Sequence, residues 1–175
     1  DDHPDMIQFW TNGTTSPSTN IVIRENFLDS GNGGWTQSIF MRNEAVDSQG
    51  ASEAMYYKNV TIENNVIYNA HYHGITIGEV DGLTIKNNTL LQNISSIDDN
   101  VGAETPTINV SSASYNVAVI NNIVPFLNLP ANAAWTVADN LFPQRTNPSG
   151  ELYYGDLFIN ALADSAANFD DLRPV

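Results

Sequence analysis

The sequence has no cysteine and few basic residues, and each shortage excludes a class of protein. Without cysteine, the 175-residue chain can form neither a disulfide framework nor a thiolate metal site. Only 6 Lys and Arg stand against 20 Asp and Glu, which gives a formal net charge of -14. Such a chain lacks the basic surface that binds nucleic-acid phosphates or anionic lipid headgroups. No apolar run approaches the roughly 18 residues that span a bilayer. We therefore expect neither a nucleic-acid partner nor a membrane partner.

Asparagine is the residue in excess, with 23 copies. Asn is a poor helix former and is depleted in ordinary strands, so this abundance needs a structural use. Five segments share a pattern in which two apolar residues alternate and an Asn follows three positions later. The segments are 21–28, 60–67, 83–90, 117–124 and, more weakly, 135–142. Their uneven intervals indicate a solenoid with insertions of variable size at its corners.

This repeat predicts an all-β fold, a right-handed parallel β-helix in which equivalent residues of successive coils stack about 4.8 Å apart. The aligned Asn side chains would form a ladder at one bend and satisfy backbone groups there. Leucine-rich repeats are the nearest alternative, but their leucine frame is missing. The ladder residues are Asn26, Asn65, Asn88, Asn122 and Asn140.

A second type of strand lies between the Asn-bearing segments and gathers the polar residues. Aligning Ile7, Ile39, Ile75 and Ile108 points the alternate apolar residues inward. The same alignment sets His73 beside Pro106 and brings all three histidines into two neighbouring columns. The long insertion between residues 41 and 60 would rise beside this groove and bring Tyr56 and Tyr57 near. The candidate site residues are His3, Asp5, Gln8, Trp10, Trp35, Gln37, Phe40, Arg42, Glu44, His71, His73 and Thr76.

The two ends of the chain differ in pattern. The first strand of the second type begins only a few residues after Asp1, without a capping segment, although solenoids need polar caps on their terminal coils. The tail over residues 155–174 resembles the closing coil of polysaccharide-active β-helix proteins. We expect residues 1–175 to form a single β-helix domain of a larger chain, with N-terminal coils that are missing or supplied by another chain.

The repeat frame resembles a known group of proteins. The stretches 59–69 and 73–75, followed by 82–88, are similar to the right-handed parallel β-helix repeats of pectate-lyase-like proteins, alginate lyases and mannuronan C5-epimerases. The segment Asp2-His3-Pro4-Asp5 resembles, in a changed order, the Asp-Pro-His-Asp signature of mannuronan C5-epimerases. Arg42 also has a counterpart in that family. The resemblance implies a secreted bacterial protein that acts on a polysaccharide.

The favoured activity is that of a lyase or C5-epimerase acting on a uronate polymer such as alginate. Arg42 would neutralise the carboxylate, either His71 or His73 would remove the C5 proton, and His3, oriented by Asp5, would act as the acid. A chain of charge -14 repels a polyanion, so a calcium ion could bridge the two, although no calcium-binding loop is visible in the sequence.

Two other functions stay open. A non-catalytic binding or adhesion module would use Gln8, Trp10, Trp35 and Phe40 as a platform for sugar rings. A glycoside hydrolase would need two carboxylates about 5 to 9.5 Å apart. Asp5 and Glu44 are the nearest pair, but the alignment puts them at opposite ends of the strand face. The remaining candidates, Gln37 and Thr76, would contact substrate in any of these cases.

Overall fold

The computed structural model describes residues 4–31, 36–94, 102–132, 134–149, 152–162 and 168–175. The predictions for His3 and Trp35 fall outside these residues. Within them, three parallel sheets dominate. Sheet A contains β1 (Asp5–Phe9), β4 (Gln37–Met41), β7 (His73–Ile77), β10 (Thr107–Val110) and β12 (Phe126–Asn128). Sheet B contains β2 (Thr19–Arg24), β5 (Tyr57–Glu63), β8 (Val80–Lys86), β11 (Tyr115–Ile120) and β13 (Thr136–Ala138), and sheet C contains β3 (Phe27–Asp29), β6 (Val66–Asn69) and β9 (Thr89–Gln92).

The chain visits the sheets in the same order in each coil, first A, then B, then C. Every pairing between these strands is parallel and joins strands of successive coils. This arrangement confirms the predicted parallel β-helix. In the part of the chain that the structure describes, helices are confined to two short segments, α1 (Glu44–Asp47) and α2 (Tyr154–Leu157), and to 3-10 turns at Glu53–Met55 and Phe169–Leu172. No helix in the described residues has the length and apolar character needed to cross a membrane.

The apolar positions that set the sequence alignment form the core. Ile39 pairs with both Ile7 and Ile75, and Ile75 pairs with Ile108, as predicted. Ile39, Ile75 and Ile108 are fully buried. The row of Ile62, Ile85 and Val119 in sheet B is equally buried. Stacking identical or similar aliphatic side chains between coils therefore supplies the main hydrophobic contacts.

The predicted asparagine ladder is present at the bend between sheets B and C. The backbone N–H and the Nδ2 of Asn65 both donate to Oδ1 of Asn88, at 3.0 and 2.9 Å. Asn88 repeats the two bonds to Asn122, and Asn122 repeats them to Asn140. The residue before each ladder Asn has a positive φ of 53–57°. Such a bend removes backbone groups from the strand pairing, and the amides replace those lost partners.

Gly78, at the end of β7, is required by a close approach between two coils. A Cβ built on Gly78 lies 2.8 Å from the backbone N of Asn43 and 3.0 Å from the carbonyl oxygen of Met41. Backbone atoms of a neighbouring coil cannot move aside as a flexible side chain can.

We therefore expect Gly78→Ala to lower the free energy of unfolding by about 1 to 3 kcal/mol, the usual cost of overpacking. Urea unfolding measures this change. Gly50→Ala is the control for adding a methyl group in open space, and because its φ of +70° costs alanine on the order of 1 kcal/mol, the loss at Gly78 should exceed the loss at Gly50. Equal losses in the two variants would contradict the contact argument.

The C-terminal tail packs against the outer side of sheet C. Tyr154, Phe158 and Leu172 form a second apolar cluster with Tyr68 and Leu91, whose side chains point away from the main core. The backbone N–H of Gln92 donates to the Tyr154 hydroxyl at 3.1 Å. The described part of the tail thus covers a sheet face.

Burial of Tyr154 makes the attachment of the tail sensitive to alkaline pH. Burial raises the pKa of Tyr154 to about 12, above the value near 10 of an exposed tyrosine. A raised pKa means that the folded chain holds this proton more tightly than the unfolded chain. Its stabilising contribution is therefore complete below about pH 10 and is lost between about pH 10 and pH 12.

We expect wild-type stability to fall more steeply over this pH interval than that of Tyr154→Phe, by roughly 2 kcal/mol. Denaturant unfolding at a series of pH values measures the difference between the two chains. Parallel pH dependences in wild type and Tyr154→Phe would contradict the assignment.

Candidate functional site

One continuous row of side chains runs across the outer face of sheet A. Strand pairing places Phe40 between Gln8 and Thr76, and it places Asn109 between Thr76 and Asn128. The row therefore crosses all five strands of the sheet, one residue per coil, at the spacing of about 4.8 Å between paired strands. Alternation turns these side chains outward because their neighbours in sequence fill the core.

Hydrogen bonds connect three members of this row, Thr76, Asn109 and Asn128. Nδ2 of Asn128 donates to Oδ1 of Asn109 at 2.9 Å, and Nδ2 of Asn109 donates to Oγ1 of Thr76 at 3.1 Å. Oγ1 of Thr76 lies 2.7 Å from Nδ1 of His73. The bonds hold the amides and the hydroxyl in fixed orientations, so the row is an ordered polar surface.

A second set of bonds supports the row from one side. Asn128 also donates to the Tyr72 hydroxyl at 2.7 Å, and Asn109 also donates to Oγ1 of Thr107 at 2.7 Å. Thr107 in turn donates to the backbone carbonyl of Tyr72 at 3.0 Å. Tyr72 and Thr107 therefore fix the rotamers of these two amides, of which Asn128 is exposed and Asn109 is only 7% exposed.

A β-bulge brings His73 onto this outer face. Thr107 pairs with His73 while Ile108 pairs with Ile75, so Gly74 is an extra residue on the β7 strand. The predicted partner of His73, Pro106, is therefore wrong by one residue. The His73 ring meets the Phe40 ring edge to face, with centroids 5.1 Å apart. Phe40 and His73 together form an aromatic surface beside the polar row.

His71 occupies a different position from His73. Its side chain is only 2% exposed, and its Nδ1 accepts a hydrogen bond from the backbone N–H of His73 at 2.9 Å. A neutral His71 therefore carries its proton on Nε2. The sequence offers two histidines as the base. The geometry favours His73, because His71 is buried and its Nδ1 already accepts a hydrogen bond.

A groove of about 280 Å³ continues the row toward the end of β4. Its walls include Phe40, Thr76, Asn109 and Asn128, together with the charged residues Arg42, Asp47 and Glu79. Nε of Arg42 lies 2.9 Å from Oδ2 of Asp47, and Arg42 also donates to Oγ of Ser48 at 3.1 Å. The groove thus joins the neutral polar row to an ion pair.

The ion pair shifts the pKa values of both partners. The hydrogen bond to Asp47 raises the pKa of Arg42. Partial burial of Asp47 favours its neutral form, but hydrogen bonds from Arg42 and Ser48 outweigh this effect and lower the pKa of Asp47. Both groups stay charged at neutral pH, so any substrate carboxylate that reaches Arg42 competes with Asp47 for the guanidinium.

Other predicted site residues lie away from the row. Gln37 and Glu44 are buried, and Oε2 of Glu44 accepts hydrogen bonds from the backbone N–H and the hydroxyl of Thr11. Half-buried Asp5 pairs with Gln37. Trp10 is 54% exposed and lies one residue beyond β1. The functional roles predicted for these residues, and for His3 and Trp35 outside the described residues, stay predictions.

The insertion between Met41 and Val60 reaches the groove through α1, which supplies Asp47. Neither Tyr56 nor Tyr57 lines the groove, but Tyr57 contacts the backbone of Arg42, which does line it. Tyr57 is buried, and its hydroxyl donates to the backbone carbonyl of Arg42 at 2.9 Å. Burial favours the neutral phenol and raises the pKa of Tyr57. Tyr56 packs on Tyr115, with ring centroids 5.4 Å apart.

The sequence analysis missed Asn109, Asn128 and Tyr72 as site residues. Asn109 follows Ile108 in a segment that the alignment already contained, so its position in the outward column was available. Asn128 lies in β12, whose short Leu127-Asn128-Leu129 alternation repeats the Ile108-Asn109-Val110 pattern. Searching for one further copy of this three-residue pattern would have found it.

Comparison with known proteins gives one family. The family described as "Periplasmic copper-binding protein (NosD)" matches residues 3–146. This range includes every strand of the three sheets and the whole of the row on sheet A. No curated protein and no solved structure matches the chain.

Proposed function

Because the chain belongs to the family described as periplasmic copper-binding protein (NosD), we propose an extracytoplasmic function, namely binding of a polysaccharide along the outer face of sheet A. The chain would act outside the cytoplasm of a bacterium, as a periplasmic or secreted protein. The observation that carries the proposal is the row of Gln8, Phe40, Thr76, Asn109 and Asn128, which extends over five coils and in which hydrogen bonds join the last three side chains.

The chemistry of this row suits a sugar polymer. Asn and Thr side chains donate and accept hydrogen bonds without carrying charge, as sugar hydroxyls do. Phe40 offers an apolar surface for a sugar ring. Trp10, which is exposed and lies two residues after Gln8, offers a second one. A row that repeats once per coil matches an extended ligand that repeats along its length. Because the row is neutral, it requires no opposite charge on the polymer.

The described residues do not fit the copper of the family description. They contain no group of three or more His, Cys, Asp or Glu side chains that could hold a metal ion. The rings of His71 and His73 stack at 24° with centroids 5.2 Å apart, so their nitrogens do not converge on one point. Met41 is fully buried in the core. Copper is therefore left out of the proposed function.

A second candidate is uronate lyase or C5-epimerase chemistry at the same face. It is favoured by one observation: Arg42 lines the groove, and His73 contacts Phe40 and Thr76, which also line it. In the tautomer that donates Nδ1–H to Thr76, Nε2 is the unprotonated nitrogen of His73 and would be the atom that takes the C5 proton. Arg42 would neutralise the carboxylate after exchanging Asp47 for it. A calcium ion bridging the acidic chain and the polymer belongs to this candidate, and chelation by EDTA tests it.

Electrophoresis through gels that contain a neutral glucan, alginate or pectate tests the first proposal. We expect the polymer to retard the wild-type chain and to have little effect on Asn109→Ala, which removes two hydrogen bonds of the row. Asn147→Ala, in an exposed loop outside the row, should be retarded like wild type. Equal mobility of wild type with and without each polymer would contradict binding.

Absorbance at ultraviolet wavelengths separates the second candidate from simple binding. A lyase creates an unsaturated product that absorbs, an epimerase changes only the stereochemistry, and a hydrolase releases reducing ends without the new absorbance. If the chemistry uses His73, the rate should fall by about 100-fold or more in His73→Gln. Retarded mobility on alginate without any of these products would leave binding alone.

A further inference from the structure

A second pocket, of about 270 Å³, lies where the last coil, the C-terminal tail and sheet C meet. Its walls come from separate parts of the chain. Gln92 ends β9, Thr105 precedes β10, Arg145 and Thr146 lie between the last coil and the tail, and Tyr154 begins α2. None of the described residues that line this pocket belongs to the row on sheet A, so the pocket is separate from the proposed polysaccharide surface.

The pocket contains a positive charge that no carboxylate neutralises. Nη1 of Arg145 donates to the carbonyl of Ala161 at 2.9 Å, and Nη2 donates to that of Leu162 at 3.4 Å. A guanidinium has five N–H donors, so three have no acceptor among the described residues. No described carboxylate lies within ion-pair distance of Arg145, and no acidic residue is among the described residues that line the pocket. The carboxylate of nearby Glu104 instead accepts a hydrogen bond from the backbone N–H of Tyr72 at 3.1 Å.

The hydroxyl groups of the pocket also lack acceptors. Tyr154 is only 1% exposed, and its oxygen accepts the backbone N–H of Gln92 at 3.1 Å, but its own O–H donates to none of the described residues. Buried hydroxyl donors usually have an acceptor, because burial removes their hydrogen bonds to water. The side chains of Thr105 and Thr146, which are exposed, make no hydrogen bond within the described part of the chain. Every one of these groups can donate, so the partner that fits the pocket is an acceptor.

Charge and size narrow the chemistry of that partner. One guanidinium balances one negative charge, and the formal charge of -14 on the chain opposes a second one. A carboxylate carries a single charge, and its two oxygens match the planar fork of an arginine. Pockets for drug-sized ligands begin at about 300 Å³, so a pocket of this volume suits a small molecule and not a polymer.

We propose that this pocket binds a small carboxylic acid, whose carboxylate accepts hydrogen bonds from the guanidinium of Arg145 and the hydroxyl of Tyr154. Thr105 and Thr146 contact further oxygen atoms of the same molecule, so a hydroxy acid fits better than a plain fatty acid. The bound acid joins the tail, through Tyr154, to the end of the last coil, through Arg145. Because such a ligand binds only the folded arrangement, it should raise the midpoint of thermal unfolding.

An NMR titration with sodium lactate tests the proposal, with sodium chloride added to hold the ionic strength constant. The Nε–H signal of Arg145 should shift together with the backbone amide signal of Gln92, because Gln92 donates to the hydroxyl that gains an acceptor. Propane-1,2-diol is the matched control ligand, since it replaces the carboxylate of lactate by a neutral CH₂OH group. It should leave both signals unchanged.

Two variants and one control variant locate the binding site. Arg145→Gln should raise the dissociation constant for lactate about tenfold or more. Arg145 also holds the tail, so circular dichroism checks that this variant folds. Thr146→Val changes an exposed side chain and should raise the constant roughly threefold without a loss of fold. Arg173→Gln removes a charge from the same tail, where Arg173 pairs with Asp170 at 3.2 Å, and it should leave the constant within about twofold of wild type.

Four results would overturn the proposal. The first is the absence of shifts at every lactate concentration, and the second is equal shifts with propane-1,2-diol. The third is an unchanged dissociation constant in both Arg145→Gln and Thr146→Val. The fourth is a lactate-dependent shift of the Nε–H signal of Arg42 in place of that of Arg145, which would place the carboxylate in the groove beside sheet A. Inorganic phosphate is titrated in parallel, and shifts with phosphate but not with lactate would replace the carboxylate by a phosphate.

Discussion

Replacing Asn88, a buried inner rung of the asparagine ladder, by Ala is expected to cause a large loss of stability. Oδ1 of Asn88 accepts two hydrogen bonds from Asn65, and Nδ2 donates to Oδ1 of Asn122 and to the carbonyl of Ile62. Alanine leaves these buried groups without partners, and each such group costs about 1 to 3 kcal/mol. We therefore expect the free energy of unfolding to fall by about 3 to 5 kcal/mol.

Chemical denaturation of wild type and Asn88→Ala measures this loss. Asn147→Ala is the control for removing an exposed amide in a loop, and its stability should change by less than about 0.5 kcal/mol. Asn26→Ala, at the half-buried first rung, should cost less than Asn88→Ala because fewer groups lose their partners. A loss at Asn88 no greater than that at Asn147 would contradict the claim that the ladder stabilises the coils.

Replacing Phe40 by Ala is expected to cause the largest loss of polysaccharide affinity. Phe40 lies in the row on the outer face of sheet A, between Gln8 and Thr76, and its ring packs edge to face on His73. Aromatic residues that anchor a binding surface contribute about 2 kcal/mol or more, which corresponds to roughly 30-fold in the dissociation constant. We expect this loss in calorimetric titrations with oligosaccharides of the polymer that retards the wild type.

Phe169→Ala provides a matched control for the Phe40 experiment. Phe169 is an exposed aromatic residue in the tail and contacts Phe27, on sheet C, with ring centroids 5.6 Å apart. Its removal deletes the same side chain on another face, so affinity should stay within about twofold of wild type. Equal losses of affinity in Phe40→Ala and Phe169→Ala would place the binding surface elsewhere.

The repeated parts of the fold could be predicted because the same residue pattern recurs in each coil and forms the same strands and bend. Alternating apolar residues in strands have a period of two, and the Asn positions mark one bend in every coil. This combination predicted the register of Ile7, Ile39, Ile75 and Ile108 and the pairing of the ladder amides. The packing of the tail on sheet C could not be predicted, because it rests on single contacts, such as that between Tyr154 and Gln92, that do not recur.

The arrangement of the candidate site was predicted only in part. Alternation along the strands made part of it predictable, whereas a β-bulge and the burial of polar residues did not follow from the sequence pattern. Gln8, Phe40, Thr76 and Asn109 fell into one outward column because each directly follows its aligned inward Ile, a part of the register that the bulge in β7 does not shift. The β-bulge at Gly74 shifted the register, which moved Thr107 to the position predicted for Pro106. Polar residues are usually exposed, but Glu44 and His71 are buried. Glu44 accepts a hydrogen bond from Thr11, and His71 accepts one from the backbone of His73.

One measurement tests the central claim, binding of a polysaccharide along the outer face of sheet A. It is a heteronuclear NMR titration that follows the side-chain amides while an oligosaccharide of the binding polymer is added. We predict shifts of the amide signals of Gln8, Asn109 and Asn128, which line the row, and unchanged signals for the ladder amides such as Asn88 and Asn122. Shifts confined to asparagines outside sheet A, or no shifts at a saturating concentration, would contradict the account.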